Sequence, residues 1–361
     1  MATKVSAADL LRFRLQAHGL TGEPAASVEA VAHRMLAVQA QDLGQAGWGL
    51  GIRTAAARAD DVAAAFSSGA LVRSWPMRGT LHIVPARELG WMLELTTPRM
   101  LARTATRRSQ LGLGEDTLER ARAVMVDALC GGKRLNRAGA LRAFEQAGIA
   151  TDGQRGYHLI YFLAQTGTLV WGPPDANQQA LVLLQEWVPN PLPLSEEAAL
   201  TRFLVGYLAG HGPATVKDFV WWTNLTVAQA RTARAAAGAE IADLECNGIR
   251  YLVPAALPDT VVAAGRADNS VHALPGFDEY VLGYQDRSPV VDAEFAARLI
   301  PGGNGIFRPT ILSRGRAVGT WQRPTATGAA GFTVDPFTML SAREQTAFQS
   351  SATRFLHYRA D

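Results

Sequence analysis

The chain has 361 residues, 48% of them hydrophobic and 19% charged, with a net charge of +3 and a sequence pI near 9.0. That length predicts two to three domains of ordinary globular composition, and the absence of an apolar run of 18 residues excludes a membrane-spanning helix. Cys130 and Cys246 are the only cysteines and stand far apart, which excludes a disulfide scaffold and a cysteine-held structural zinc and fits a reducing compartment.

The opening "MATKVSAADLLRFRLQAHGL" lacks the basic-then-apolar order of a secretory signal and reads as a helix over residues 6–18, with Leu11 and Leu15 four apart. Ser27 is an N-cap for a second helix, with Val28, Val31, Met35 and Val38 on one face. It runs into "VQAQDLGQAGWGLGI", where Gln39 and Gln41 are followed by Gly44, Gly47, Gly49 and Gly51. The glycines predict a helix exit between Ala40 and Gly44. On a continuing helix, residues two apart diverge by about 200°; in an irregular exit they can face one small polar object. Two amides there either share such a pocket or are a cap and a solvated surface.

A short helix at 60–67 precedes "LVRSWPMRGTLHIV", two apolar-rich runs around Pro76 and Gly79 that read as strand, turn, strand. Thr80 and His82 fall on one face of the second strand. Helices at 115–130, 137–147 and 154–166 lead into "GTLVWGPPDANQQALVLL", another hairpin. Helices at 195–210, 215–221 and 226–237 lead into "EIADLECNGIRYLVP", with Asn247-Gly248 as a tight-turn pair. Three helices and a hairpin make a winged helix. "GTLHIV", "GTLVWG" and the weaker "GIRYLV" echo one another at Gly79, Gly167 and Gly248. Beyond residue 262 the chain turns aromatic-rich and Gly-punctuated, which predicts a small β-rich domain. Its hairpin turn carries Arg314 and Arg316, which either enter a groove or face water. The expected class is α+β: winged helices at 1–110, 111–192 and 193–262, then a β-rich domain at 263–361.

Between Arg99 and Arg142 there are ten Lys or Arg against four Asp or Glu, an excess of +6 in a chain of +3. Such a field suits a polyanion, and Arg107 and Arg108 are its candidates for phosphate contact; solvated helix faces are the alternative. "GWGLG" has the wrong spacing for a dinucleotide loop, and "GGKR" lacks the rest of a phosphate-binding loop. There is no Gly-x-Ser-x-Gly elbow and no His-Glu-x-x-His pair. No cofactor and no metal are expected.

Four stretches, "LAVQAQD", "SWPMRGTLHIV", "LPGFDEYVLGYQDR" and "FRPTILSRGRAVGTW", resemble the AlkZ/YcaQ-like family, tandem winged-helix DNA glycosylases that unhook interstrand crosslinks. The resemblance runs nearly the whole length. It implies three winged helices and a β-domain around a basic channel. It also implies a catalytic Gln-apolar-Gln motif, matched by Gln39-Ala40-Gln41; the YcaQ-like branch carries Gln-apolar-Asp, and here Asp42 lies one residue beyond that position. The implied reaction is monofunctional hydrolysis of N7-alkylated guanine, with Gln41 holding the water and Gln39 supporting it. Arg73 and Arg78 would contact phosphate, and Thr80 and His82 would line the catalytic face. The implied partner is duplex DNA, and the expected protein is a cytoplasmic, nucleoid-associated monomer. The alternative is a non-enzymatic winged-helix regulator, which would recognise a defined sequence and usually dimerise; a nucleotide-dependent enzyme lacks its phosphate loop.

Overall fold

The computed structural model describes residues 2–176, 178–257, 270–303, 305–323 and 331–360. Its strands are β1 (Thr3–Lys4), β2 (Val38–Gln39), β3 (Leu71–Met77), β4 (Thr80–Pro85), β5 (Leu169–Asp175), β6 (Gln178–Leu183), β7 (Ile241–Cys246), β8 (Ile249–Pro254), β9 (Val271–Leu274), β10 (Thr310–Ser313), β11 (Arg316–Gln322) and β12 (Thr333–Pro336). The chain forms two compact units: Met1–Val62 with Leu200–Trp222 and Thr226–Asp361, and Ala63–Ala199 with Thr223–Leu225. This division by compactness differs from the four consecutive segments expected from the sequence, three winged helices and a β-rich domain. The expected boundary at 262–263 lies outside the described residues.

In the first unit, helix Ala7–Ala17 starts at a capping box between Ser6 and Asp9, and Ser27 caps helix Val28–Met35 as expected. That helix stops three residues short of Val38. Leu36 takes φ 62° and ψ −42°, and Ala37 N–H donates to Met35 C=O at 2.7 Å, a strained γ-turn. The Leu36 side chain is fully buried, which holds the turn in place. Val38 and Gln39 are then extended.

The glycine-rich stretch is not a helix exit. Asp42 caps a new helix, Leu43–Gly51, by accepting from Gln45 N–H at 3.0 Å. Its glycines serve packing: a Cβ at Gly47 would lie 2.6 Å from the Tyr358 hydroxyl, and one at Gly51 2.7 Å from the Tyr358 ring. Low helix propensity is tolerated here because only glycine lets helix Ala342–Arg359 come this close.

Helices Glu196–His211, Val216–Thr223 and Val227–Ala237 precede the β7–β8 hairpin, whose turn has Asn247 at φ 51° and Gly248 at φ 76°. Both residues are left-handed, as a two-residue turn that follows strand twist requires. β1 adds to β7 in parallel. The C-terminal sheet is antiparallel in the order β12-β11-β10-β9, and Ser351 of helix Ala342–Arg359 accepts from Ala273 N–H of β9 at 2.9 Å.

In the second unit β4, β3, β5 and β6 lie side by side in that order. Helices Glu115–Leu129, Arg137–Gln146 and Arg155–Gln165 cover a core of Leu118, Met125, Phe144, Leu159, Leu163 and Leu181, into which Trp75 of β3 also packs. The sequence did not announce helix Leu89–Gln110, because Pro98 sits inside it and its second half is polar. Thr96 anchors the helix, its hydroxyl lying 2.8 Å from Met92 C=O and 2.5 Å from Pro76 C=O. Among the described residues no helix is long and apolar enough to cross a membrane.

Candidate active site

The γ-turn at Leu36 leads into β2, which ends on Gln39, and Ala40 and Gln41 lie in the short irregular link between β2 and helix Leu43–Gly51. Gln39 is 6% exposed, Ala40 is fully buried and Gln41 is exposed. One amide of the pair is therefore part of the protein interior and the other stands at its surface. Gln39 N–H donates to Glu279 Oε1 at 2.8 Å. The other oxygen, Oε2, accepts from Trp222 Nε1 at 3.0 Å and lies 3.3 Å from His211 Nε2.

A second buried anchor is adjacent. Asp278 meets Arg53 through two hydrogen bonds of 2.7 and 2.8 Å, and the two residues are 2% and 4% exposed. Arg53 also donates to Gly49 C=O at 2.7 Å and His18 C=O at 2.8 Å. Gln45 accepts from Gly276 N–H at 2.8 Å, which ties helix Leu43–Gly51 to the loop ahead of Glu279. Phe277 in that loop is held at φ 60°. Between them is a crevice of about 10 Å³ lined by Gln39, Gln45, Arg53, Phe277, Asp278 and Glu279. That is about the least space in which a single water could sit.

Beneath the site, Tyr284 donates its hydroxyl hydrogen to His211 C=O at 2.6 Å. His18 Nε2, 2.8 Å from the same hydroxyl oxygen, must therefore be the donor. Its Nδ1 is buried without a hydrogen-bond partner. Burial first, then nearby His211, Arg53 and Arg14, push its pKa well below the ordinary 6.5. A histidine depressed in the fold leaves stability intact above its unfolded pKa and removes it as pH falls below that value. Thermal unfolding should therefore show a midpoint that drops from pH 7 toward pH 5, and His18→Gln should flatten that slope. An unchanged slope would assign the acid sensitivity elsewhere.

The first wing's candidates lie in the second unit. Arg73 donates to Gln179 Oε1 at 3.1 Å. Arg78 and Gly79 form the left-handed turn of the β3–β4 hairpin, at φ 55° and 74°. Arg78 Nη2 is 3.1 Å from His82 Nε2, and a guanidinium only donates, so His82 is neutral there, with Nδ1–H donating to Thr80 C=O at 2.8 Å. His82 is fully buried and Thr80 partly so; the histidine orients the arginine at the wing tip. Arg107 is exposed and donates to Gln154 at 3.0 Å, whereas Arg108 is partly buried and bonded to Leu101 C=O and the Thr104 hydroxyl. Arg99, Arg103 and Arg107 recur every four residues on helix Leu89–Gln110, so they share one exposed face. In the first unit, Arg314 is exposed at the β10–β11 turn, and Arg316 pairs with Asp292 at 2.5 Å rather than simply facing water.

Residues 32–358 match the family model described as DNA glycosylase AlkZ-like. The chain belongs to the AlkZ-like DNA glycosylases. It is therefore a DNA N-glycosylase. An interstrand DNA cross-link repair glycosylase from Streptomyces sahachiroi is 27% identical over 332 residues, covering 88% of each chain. The solved structure of the Streptomyces sahachiroi DNA glycosylase AlkZ superposes with a TM-score of 0.83 at 24% identity, over 99% of this chain and 97% of that one. That likeness fixes the α+β tandem winged-helix fold of this AlkZ-like protein.

Sequence reasoning missed Arg53, Asp278, Glu279 and the histidines beneath them. A signal was present for two of them. "FDEYVLG" places an acidic doublet inside an otherwise apolar run, and a buried carboxylate must have a partner. Nothing in the local sequence of Arg53 or His18 marks either one.

Proposed function

We propose that this glycosylase hydrolyses the N-glycosidic bond of N7-alkylated guanine and unhooks DNA interstrand crosslinks, with Gln39 and Gln41 positioning the attacking water. The observation that carries the reading is the placement of the two glutamines: Gln39 is buried, anchored through its backbone N–H and lines a small crevice, and Gln41 is exposed two residues on. Neutral amides suit this chemistry. Guanine alkylated at N7 is a cation, so the bond pair from C1′ neutralises it and no acid is needed at the leaving group. What remains is to hold a water near C1′ as the sugar becomes oxocarbenium-like, a task of geometry and dipoles. The water oxygen bonds to C1′ and its proton leaves to solvent. A crosslinked base cannot be swung out freely as in ordinary base flipping, which favours an open cradle of winged helices. That the relative from Streptomyces sahachiroi is an interstrand cross-link repair glycosylase supports this choice of substrate.

In this reading Arg73, Arg78, Arg107, Arg108, Arg314 and Arg316 contact duplex DNA, and buried His82, bonded to Thr80 C=O, acts by orienting Arg78 rather than by lining a catalytic face. The protein acts as a cytoplasmic, nucleoid-associated monomer built from the four successive segments. Base release from an N7-methylguanine duplex and strand separation of a crosslinked duplex test it directly. Release of neither would overturn the substrate assignment.

The arginine row gives a separate expectation. Arg99→Glu combined with Arg107→Glu should weaken binding to every duplex sequence alike and lower the salt slope by about 2, since each lost phosphate contact removes roughly one counterion release. Loss confined to one sequence, measured by fluorescence anisotropy across salt, would point to the regulator instead.

A further inference from the structure

We infer that Glu279 is a positioning residue for base release, a role that rests on the water-holding reading of Gln39 and Gln41. Its carboxylate is 1% exposed and receives N–H groups on both oxygens: Gln39 N–H on Oε1 and Trp222 Nε1–H on Oε2, with His211 Nε2 3.3 Å from Oε2. A buried ion is costly to keep, so its retention asks for a reason. The reason lies in its two-sidedness. An ionised carboxylate accepts at both oxygens, whereas a glutamine in its place must turn an NH₂ toward one set of donors or the other. Glu279 thus bridges the Gln39 backbone to the Trp222 and His211 side chains, which no neutral side chain of that length can do.

Its own placement is fixed. Glu279 opens the short helix Glu279–Leu282, whose N-cap Asp278 accepts from Tyr280 N–H at 2.9 Å while gripping Arg53 with both oxygens. Gln39 follows a strained γ-turn, and its backbone direction sets where its amide points. The charge-assisted bond from Glu279 is a direct link between that backbone and helix Glu279–Leu282. The carboxylate acts through Gln39 and touches neither sugar nor base.

The test is single-turnover release of N7-methylguanine by Glu279→Gln over a range of enzyme concentrations. The expected result is a maximal rate roughly 10- to 100-fold lower, the scale of a small misplacement of a catalytic group, with the half-saturating concentration unchanged. An unchanged maximal rate overturns the inference, and so does a fall in rate matched by lost DNA binding, which marks general unfolding. Should Glu279→Gln not fold, the amide spectrum of the wild-type protein decides. Gln39 N–H bonded to a carboxylate resonates far downfield, and an ordinary shift overturns the inference. Gln41→Ala run in parallel separates the two claims. If it releases base at the wild-type rate, the water-holding reading fails; if it is inactive while Glu279→Gln is unimpaired, only the present inference fails.

Discussion

Gln41→Ala is expected to fold normally and to bind duplex DNA as the parent does, yet to release N7-methylguanine roughly 100-fold more slowly, the scale for removing one positioned hydrogen-bonding group. Folding should be spared because Gln41 is exposed, in the link ahead of an independently capped helix. Gln39→Ala should lose activity as well, and with it some stability, since its side chain is buried. Gln41→Asp keeps a water-binding oxygen and adds a negative charge near the developing oxocarbenium. Partial activity with an altered preference among lesions is the expected outcome. Single-turnover rates for the three variants decide the matter, and wild-type release by Gln41→Ala would reduce the pair to a surface turn.

The largest effect on stability is expected at Asp278. Removing its carboxylate with Asp278→Ala leaves the Arg53 guanidinium buried without its counter-ion, a change that costs about 3 to 5 kcal/mol. Gly49 C=O and His18 C=O would still take two of the donors, but neither carries charge. The double replacement Arg53→Met with Asp278→Leu removes both charges and should recover part of the loss, because an apolar pair of similar volume avoids the desolvation altogether. Urea unfolding followed by circular dichroism measures both. A loss under about 1 kcal/mol for the single variant would mean that water reaches the pair and screens it.

Much of the local plan was legible. The helices and hairpins over 115–183 and 196–254 announce themselves through apolar spacing and turn residues such as Asn247-Gly248. Helix Leu43–Gly51 was hidden for a physical reason. Its glycines look like a breaker locally, and what justifies them is Tyr358, about 300 residues away in sequence. Helix Leu89–Gln110 was hidden by Pro98 and by a polar second half that carries no stripe. Gln39 and Gln41 stood out by resemblance, since amides carry no titration or metal-binding signature of their own. The support beneath them was not legible, because a buried ion pair or a histidine network is defined by partners that only the fold brings together.

The link from Gln39 to Glu279 spans 240 residues of chain. During synthesis the motif leaves the ribosome early and waits for its anchor. At ordinary elongation rates that interval is about 10 to 50 s. A nascent chain that ends before Glu279 lacks the contact that anchors the Gln39 backbone. The backbone of the motif is thereby anchored only once most of the chain has been made.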